Sequence, residues 1–226
     1  MYRQSLVKNL LYKAAFSYVG FMAYDLDLCY NDIMKKIILA SSSPRRIEMI
    51  KNRGFDPAVM PASIDETLPM SMSPEASVMY LAFKKASSIS DQLSSNDTAK
   101  GADALIIAAD TIVSYAGRVI GKPKNSEDAF ETLSALRNNR HDVITGVCLL
   151  GSPRNEKLCL YEKTAVFFKD YSDQELRAYV NTAEPYDKAG GYAIQQTFKK
   201  YIHHIEGDLD NVVGLPWYRI ESFLKD

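Results

Sequence analysis

The 226-residue sequence is poor in the residues that hold small cross-linked proteins together. Its three cysteines, Cys29, Cys148 and Cys159, are odd in number and show no CxxC spacing. That argues against a disulfide framework or a zinc ribbon and makes a reducing compartment, the cytoplasm, the expectation. No apolar run approaches the ~20 residues that a membrane helix needs, so no membrane is expected among the partners. Neither sign of charge dominates: 27 Lys and Arg stand against 28 Asp and Glu. A general binder of nucleic-acid polymers would be basic overall, so that class is set aside, while a local cationic pocket stays open. GxxxxGK[ST], GxGxxG, HExxH and GxSxG are all missing, which removes the P-loop, the dinucleotide fingerprint, the zincin helix and the nucleophile elbow. There is no internal repeat. The three histidines read as structural: His141 opens a strand, and the adjacent His203 and His204 would face opposite ways on a strand.

What remains is an ordinary folded composition, 46% hydrophobic and 24% charged, long enough for one α/β domain. Residues 1–34 form an extension. No acid occurs from Met1 to Tyr24, and Arg3, Lys8 and Lys13 interleave with leucines and aromatics. An organelle-targeting helix, an extra packed helix, and a start placed too early with Met34 as the true initiator are the three readings. The domain pattern occupies 35–226. Ile37 to Ala40 predicts a buried strand, and Ser43-Pro44 opens a helix to about Arg53. A longer helix covers 73–93, and a polar loop follows from Ser94 to Asp103. Ala104 to Ala109 is the strongest buried-strand signal, ending at Asp110, with a hairpin turn at Ala116-Gly117. A helix over 126–137, strands over 142–150 and 158–168, and a helix after Ser172 with Glu175 completing a capping box come next. Glu184 to Gly191 is turn-rich, and a last helix starts near Leu215. Helices alternate with strands, some joined by hairpins, which predicts an α/β fold with a mixed sheet.

Several short segments could carry chemistry, and each also has a plainer reading. Ser41-Ser42-Ser43-Pro44-Arg45-Arg46 feeds a strand into a helix N-terminus, where free N–H groups bind anions and two arginines add phosphate-matched forks. The plainer reading is an exposed, capped helix with surface ion pairs. Asp65-Glu66 reads alone as a solvated loop. Asp110, ending an apolar strand, is a candidate metal ligand or general base, or else a turn cap. Lys85 and Lys122 could each reach a phosphate, although a solvated position is the commoner one. Gly190-Gly191 permits close approach or positive φ, and the Gln195 amide could read a base edge; otherwise this is a tight turn.

Taken in order, these segments resemble the Maf (septum-formation) family. The matching blocks are Ser41 to Arg46, Ile64 to Glu66, Leu81 to Ala86, Ala109 to Thr111, Gly121 to Pro123, Val143 to Val147, Asp187 to Gly190, and Asn211 to Pro216. The resemblance implies a mixed twisted sheet with flanking helices, like the inosine-triphosphate pyrophosphatases, in two lobes around a cleft, often as a homodimer. It implies a hydrolase of nucleotide metabolism that cleaves a nucleoside triphosphate to the monophosphate and pyrophosphate with Mg²⁺, or another divalent cation such as Mn²⁺. By that resemblance Asp110 is the catalytic carboxylate, and Glu66 and Asp110 hold the metal. Ser41, Arg45, Arg46, Lys85 and Lys122 bind phosphates. Arg45, Thr111 and Gln195 match positions tied to base choice in the dTTP/UTP branch. A 7-methyl-GTP enzyme and a nucleotide-binding regulator of cell division are the alternatives. Three departures stand out: Ser63 replaces the first aspartate of Asp-Ile-Asp-Glu, Ala193 and Gln196 replace glycines, and Gly207 to Asp210 replaces a Ser/Tyr turn.

Overall fold

A computed structural model of the chain describes residues 36–95, 104–152 and 156–225. The extension over 1–34 lies outside these residues, as does the expected polar loop beyond Ser95. The elements are β1 (Lys36–Leu39), α1 (Pro44–Asn52), β2 (Ala58–Val59), α2 (Pro74–Ser94), β3 (Ala104–Tyr115), β4 (Arg118–Ile120), α3 (Ser126–Leu136), β5 (Arg140–Ser152), β6 (Lys157–Phe168) and α4 (Asp173–Val180). Three short 3₁₀ turns between Glu184 and Tyr201 then lead to β7 (Ile202–Glu206), α5 (Leu209–Val213) and α6 (Trp217–Lys225).

Local chemistry explains most boundaries. Ser73 caps α2 by accepting the Ala76 N–H at 3.2 Å, just before a proline that has no N–H to satisfy. The Ser172–Glu175 capping box forms as expected. Ala116 and Gly117, at φ 49° and 75°, make the two-residue turn whose twist suits a hairpin. α5 was not anticipated: Asp208 caps it, its carboxylate accepting the N–H groups of Asp210 and Asn211.

The sheet is mixed, with strand order β2-β1-β3-β5-β6-β7 and β4 added against β3. β1 runs parallel to β2 and β3, and the remaining pairs are antiparallel. Odd residues of β3 (Leu105, Ile107, Ala109) pack toward Ile50 of α1 and Trp217, Ile220 and Leu224 of α6. Even residues (Ala104, Ile106, Ala108) pack toward Ala82, Ala86 and Ile89 of α2. A separate core around Phe198, Leu133, Leu176 and Tyr192 lies beyond Val113, at the other end of the strand.

Two expectations need correction. Asp110 does not end its strand, because β3 continues to Tyr115. What is interrupted there is strand pairing on one edge. β5 pairs with β3 from Ala104 to Ser114, so β1 and β4 must share the opposite edge. β1 covers it only through Ile107, and β4 resumes at Val113. Residues 108–112 thus have no neighbouring strand on that side. His203 and His204 do not face opposite ways either. Phe167 pairs with His204 and Phe168 with Ile202, a bulge that skips His203 and brings the two rings to 4.7 Å. Both histidines are exposed.

Candidate active site

The gap in β3 opens onto a cleft of about 1120 Å³. Ser41, Arg45, Arg46, Glu66, Lys85, Asp110, Thr111, Lys122 and Gln195 all line it. They come from six separate stretches of chain, so their gathering is a product of the topology.

The period-2 alternation of β3 divides the labour. Asp110 faces the α2 side, where the Lys85 ammonium meets its carboxylate at 2.6 Å and that of Glu66 at 2.8 Å. The side chains of Lys85 and Asp110 are only 15% and 13% exposed, whereas Glu66 is 61% exposed. The solvated reading of Lys85 therefore fails, and the Asp65-Glu66 loop is tethered through Glu66. The Lys85 hydrogen bond holds the Glu66 carboxyl below the usual carboxylate range. The α2 helix comes this close because β5 has Gly146 beside Asp110 in the ladder, with the Val78 backbone directly above it.

Thr111 faces the other side, toward α1. There Arg46 is fixed by three bonds: Nε to the Gly214 carbonyl at 2.8 Å, one Nη to Ser41 Oγ at 3.1 Å and the other to Thr111 Oγ1 at 2.9 Å. Two further N–H donors of its five remain beyond these bonds. Burial lowers the guanidinium to about 10, which leaves it charged at neutral pH. Among the described residues no carboxylate lies within ion-pair distance of it. A half-buried cation so placed favours an anion in front of it.

The hydroxyl protons are set by elimination. Thr145 Oγ1 donates to the Asn211 carbonyl, so it accepts from Thr111, which in turn accepts from Arg46. Thr111 is committed to orienting Arg46. Asn211, fully buried, extends the network by donating from Nδ2 to the Val143 carbonyl and to Thr164 Oγ1. Sequence reasoning did not single out Thr145 or Gly146; a threonine followed by a glycine inside the apolar run Val143 to Leu150 was the available signal.

Ser43 occupies the N-cap position of α1, but its side chain makes no cap bond, contrary to the capped reading. Ser41 Oγ instead accepts the Ser43 N–H at 3.2 Å. The N–H groups of Arg45 and Arg46 are left at an open helix N-terminus on the cleft wall, a setting that binds anions. Lys122 is exposed at the rim on the β4–α3 connection, near enough to Glu66 to act on its charge. Gln195 lies opposite, on the segment after Gly190 and Gly191, which both take positive φ.

A sequence model of the family described as Maf-like protein matches residues 36–226. The chain belongs to the Maf-like family. Its relatives include the dTTP/UTP pyrophosphatase of Caldicellulosiruptor bescii, 44% identical over 192 residues, a match covering 85% of this chain and 94% of the relative. The dTTP/UTP pyrophosphatase of Pelotomaculum thermopropionicum is 42% identical, with 85% and 96% covered. That of Bacillus cereus is 40% identical, with 85% and 90% covered. The mixed sheet with flanking helices is consistent with the Maf fold, and among the described residues no helix is long and apolar enough to cross a membrane.

Proposed function

We propose that this Maf-like protein hydrolyses dTTP and UTP to the monophosphate and pyrophosphate. One observation carries the reading: a shielded carboxylate, Asp110, shares a cleft with an open helix N-terminus and a half-buried, anion-seeking arginine. The names of the curated relatives support the choice of substrate.

The triphosphate is polyanionic. The first turn of α1, with Arg45, Arg46 and Lys122, binds its oxygens and offsets the charge that grows on the leaving pyrophosphate. Asp110 orients the attacking water and accepts its proton as the water oxygen bonds to the α-phosphorus and the bond to the β-phosphate oxygen breaks. Lys85 holds Asp110 in position. The Gln195 amide offers a donor and an acceptor to the pyrimidine edge.

The site also fits a divalent cation. Two carboxylates, Glu66 and Asp110, already converge on one positive charge, the Lys85 ammonium. Among the described residues no cluster of three acidic, His or Cys ligands exists. A pair of carboxylates suits Mg²⁺, which usually keeps its waters and takes further oxygens from substrate phosphates. When bound by Glu66 and Asp110, Mg²⁺ or Mn²⁺ would supply charge neutralisation and a more acidic water.

The test is pyrophosphate release with Mg²⁺ from a panel of canonical and modified triphosphates. Release from dTTP and UTP, reduced about a thousandfold in Asp110→Asn with the fold retained, is expected. Release from modified nucleotides alone would overturn the base assignment, and near-normal turnover in Asp110→Asn would remove Asp110 from the chemistry.

A further inference from the structure

The β5–β6 ladder brings two of the three cysteines face to face. Cys148 and Cys159 are direct cross-strand partners, and their sulfurs stand 2.7 Å apart. Opposite residues in an antiparallel ladder share a face of the sheet. Cys148 is fully buried, in the layer with Ala82 and Ala86 of α2 and Ala108 of β3, while Cys159 is exposed. Neither lines the cleft, and the hydrolysis proposed above has no use for a thiol. A covalent S–S bond measures about 2.0 Å, so closing one here asks for roughly 0.7 Å of approach between chains already held by the ladder.

We propose that Cys148 and Cys159 are a reversible redox pair that closes into a cross-strand disulfide when the protein meets a peroxide. The two thiols have different parts. Cys159, exposed, takes one oxygen from hydrogen peroxide to become a sulfenic acid, and one water leaves. The Cys148 sulfur then attacks the sulfenic sulfur. The S–S bond forms as the S–O bond breaks, and the hydroxyl departs with the Cys148 proton as a second water. Two thiols are oxidised by two electrons and one peroxide is reduced to two waters. A dithiol reverses the bridge by exchange.

Burial pushes the Cys148 thiol up, which keeps it protonated and unreactive toward outside oxidants. It acts as the resolving thiol because its partner's sulfur is held against it, the condition under which an intramolecular step gains most. The spacing of the cysteines along the chain gives no sign of this pairing. The register of β5 against β6 creates it.

The full-length protein, fully reduced, is treated with a small excess of hydrogen peroxide, capped with N-ethylmaleimide, and digested without reductant for mass spectrometry. The expected product is a Cys148 peptide joined to a Cys159 peptide, two hydrogens lighter than their sum, that dithiothreitol separates. In Cys159→Ser, an exposed change that the fold should tolerate, Cys148 should be recovered as a thiol after the same treatment. The proposal is overturned if Cys159 is found as a sulfinic or sulfonic acid, unmodified, or bridged to Cys29 or a second chain, with Cys148 still a free thiol.

Discussion

Arg46 donates from Nε to the carbonyl of Gly214, 168 residues further along the chain, at 2.8 Å. This bond ties the open end of α1 to the residue that terminates α5. Gly214 sits at φ 118°, in the left-handed region, where a Cβ would stand 3.4 Å from Thr111 Oγ1 and 3.5 Å from Arg46 Nε. Gly214→Ala therefore meets backbone strain more than collision. It should cost about 1–3 kcal/mol in urea denaturation. Because Arg46 tilts with the carbonyl, KM for the triphosphate should rise more than kcat falls. An unchanged KM would show that Arg46 keeps its aim without Gly214.

Gly146 sets the height of α2 above the sheet. A Cβ there would lie 2.4 Å from the carbonyl carbon and oxygen of Val78, backbone atoms that cannot rotate away. Gly146→Ala must lift α2, and Lys85 with it. The expected outcome is a loss of about 3 kcal/mol or more by thermal or chemical denaturation. Turnover should also fall below wild type at temperatures where circular dichroism shows the variant folded.

His141 makes stability depend on pH. It is 2% exposed, its Nε2 lies 2.6 Å from the Tyr192 hydroxyl, and burial lowers its pKa to about 3. Unfolded, it titrates near the ordinary value of about 6.5. Between these values the unfolded chain holds one more proton, so stability rises with pH across this window. The contribution is present in full above about pH 6.5 and is lost as pH falls toward 3, on the order of 5 kcal/mol in all. In His141→Gln the slope of unfolding free energy against pH should shrink by about one proton, measured by denaturation at several pH values between 4 and 7. An unchanged slope would mean that carboxylates alone set it.

Asn211 is the buried hub that joins α5 to β5 and β6. Removing its amide in Asn211→Ala takes the Nδ2 donor from the Val143 carbonyl and from Thr164 Oγ1, which keeps only the Asp208 N–H. A loss of about 2–4 kcal/mol is expected. Thr145→Val keeps the shape but leaves the buried Asn211 carbonyl without its donor, and should cost about 1–3 kcal/mol. It deprives Thr111 of its acceptor, so the hydroxyl that receives the Arg46 bond is no longer held in one orientation, and triphosphate binding should weaken in a titration. Unaltered binding would uncouple Thr145 from the site.

Much of the fold was legible because its signals are local. The apolar run Ala104 to Ala109, the Ser172–Glu175 box, the proline after Ser73 and the Ala116-Gly117 turn each act within a few residues, where propensity and capping decide the outcome. The chemical types at the cleft were legible for the same reason: acids, arginines and an amide stood at short, recognisable spacings. Their partners were not. Whether Lys85 is solvated or bridges Glu66 and Asp110, whether Ser41 or Ser43 serves the start of α1, and whether Thr111 reads a base or steers Arg46 all depend on which strands lie side by side. The sequence by itself determined most of the longer elements, the mixed α/β class and the residue types the site would use. Only the tertiary structure decided that β1 stops at Leu39 and β4 begins opposite Tyr115, leaving Asp110 without a neighbouring strand on one edge. It also decided that Gly146 lets α2 descend onto that carboxylate and that Cys148 meets Cys159. Such contacts join residues far apart in the chain, and sheet order and register, which set them, are properties of the packed whole.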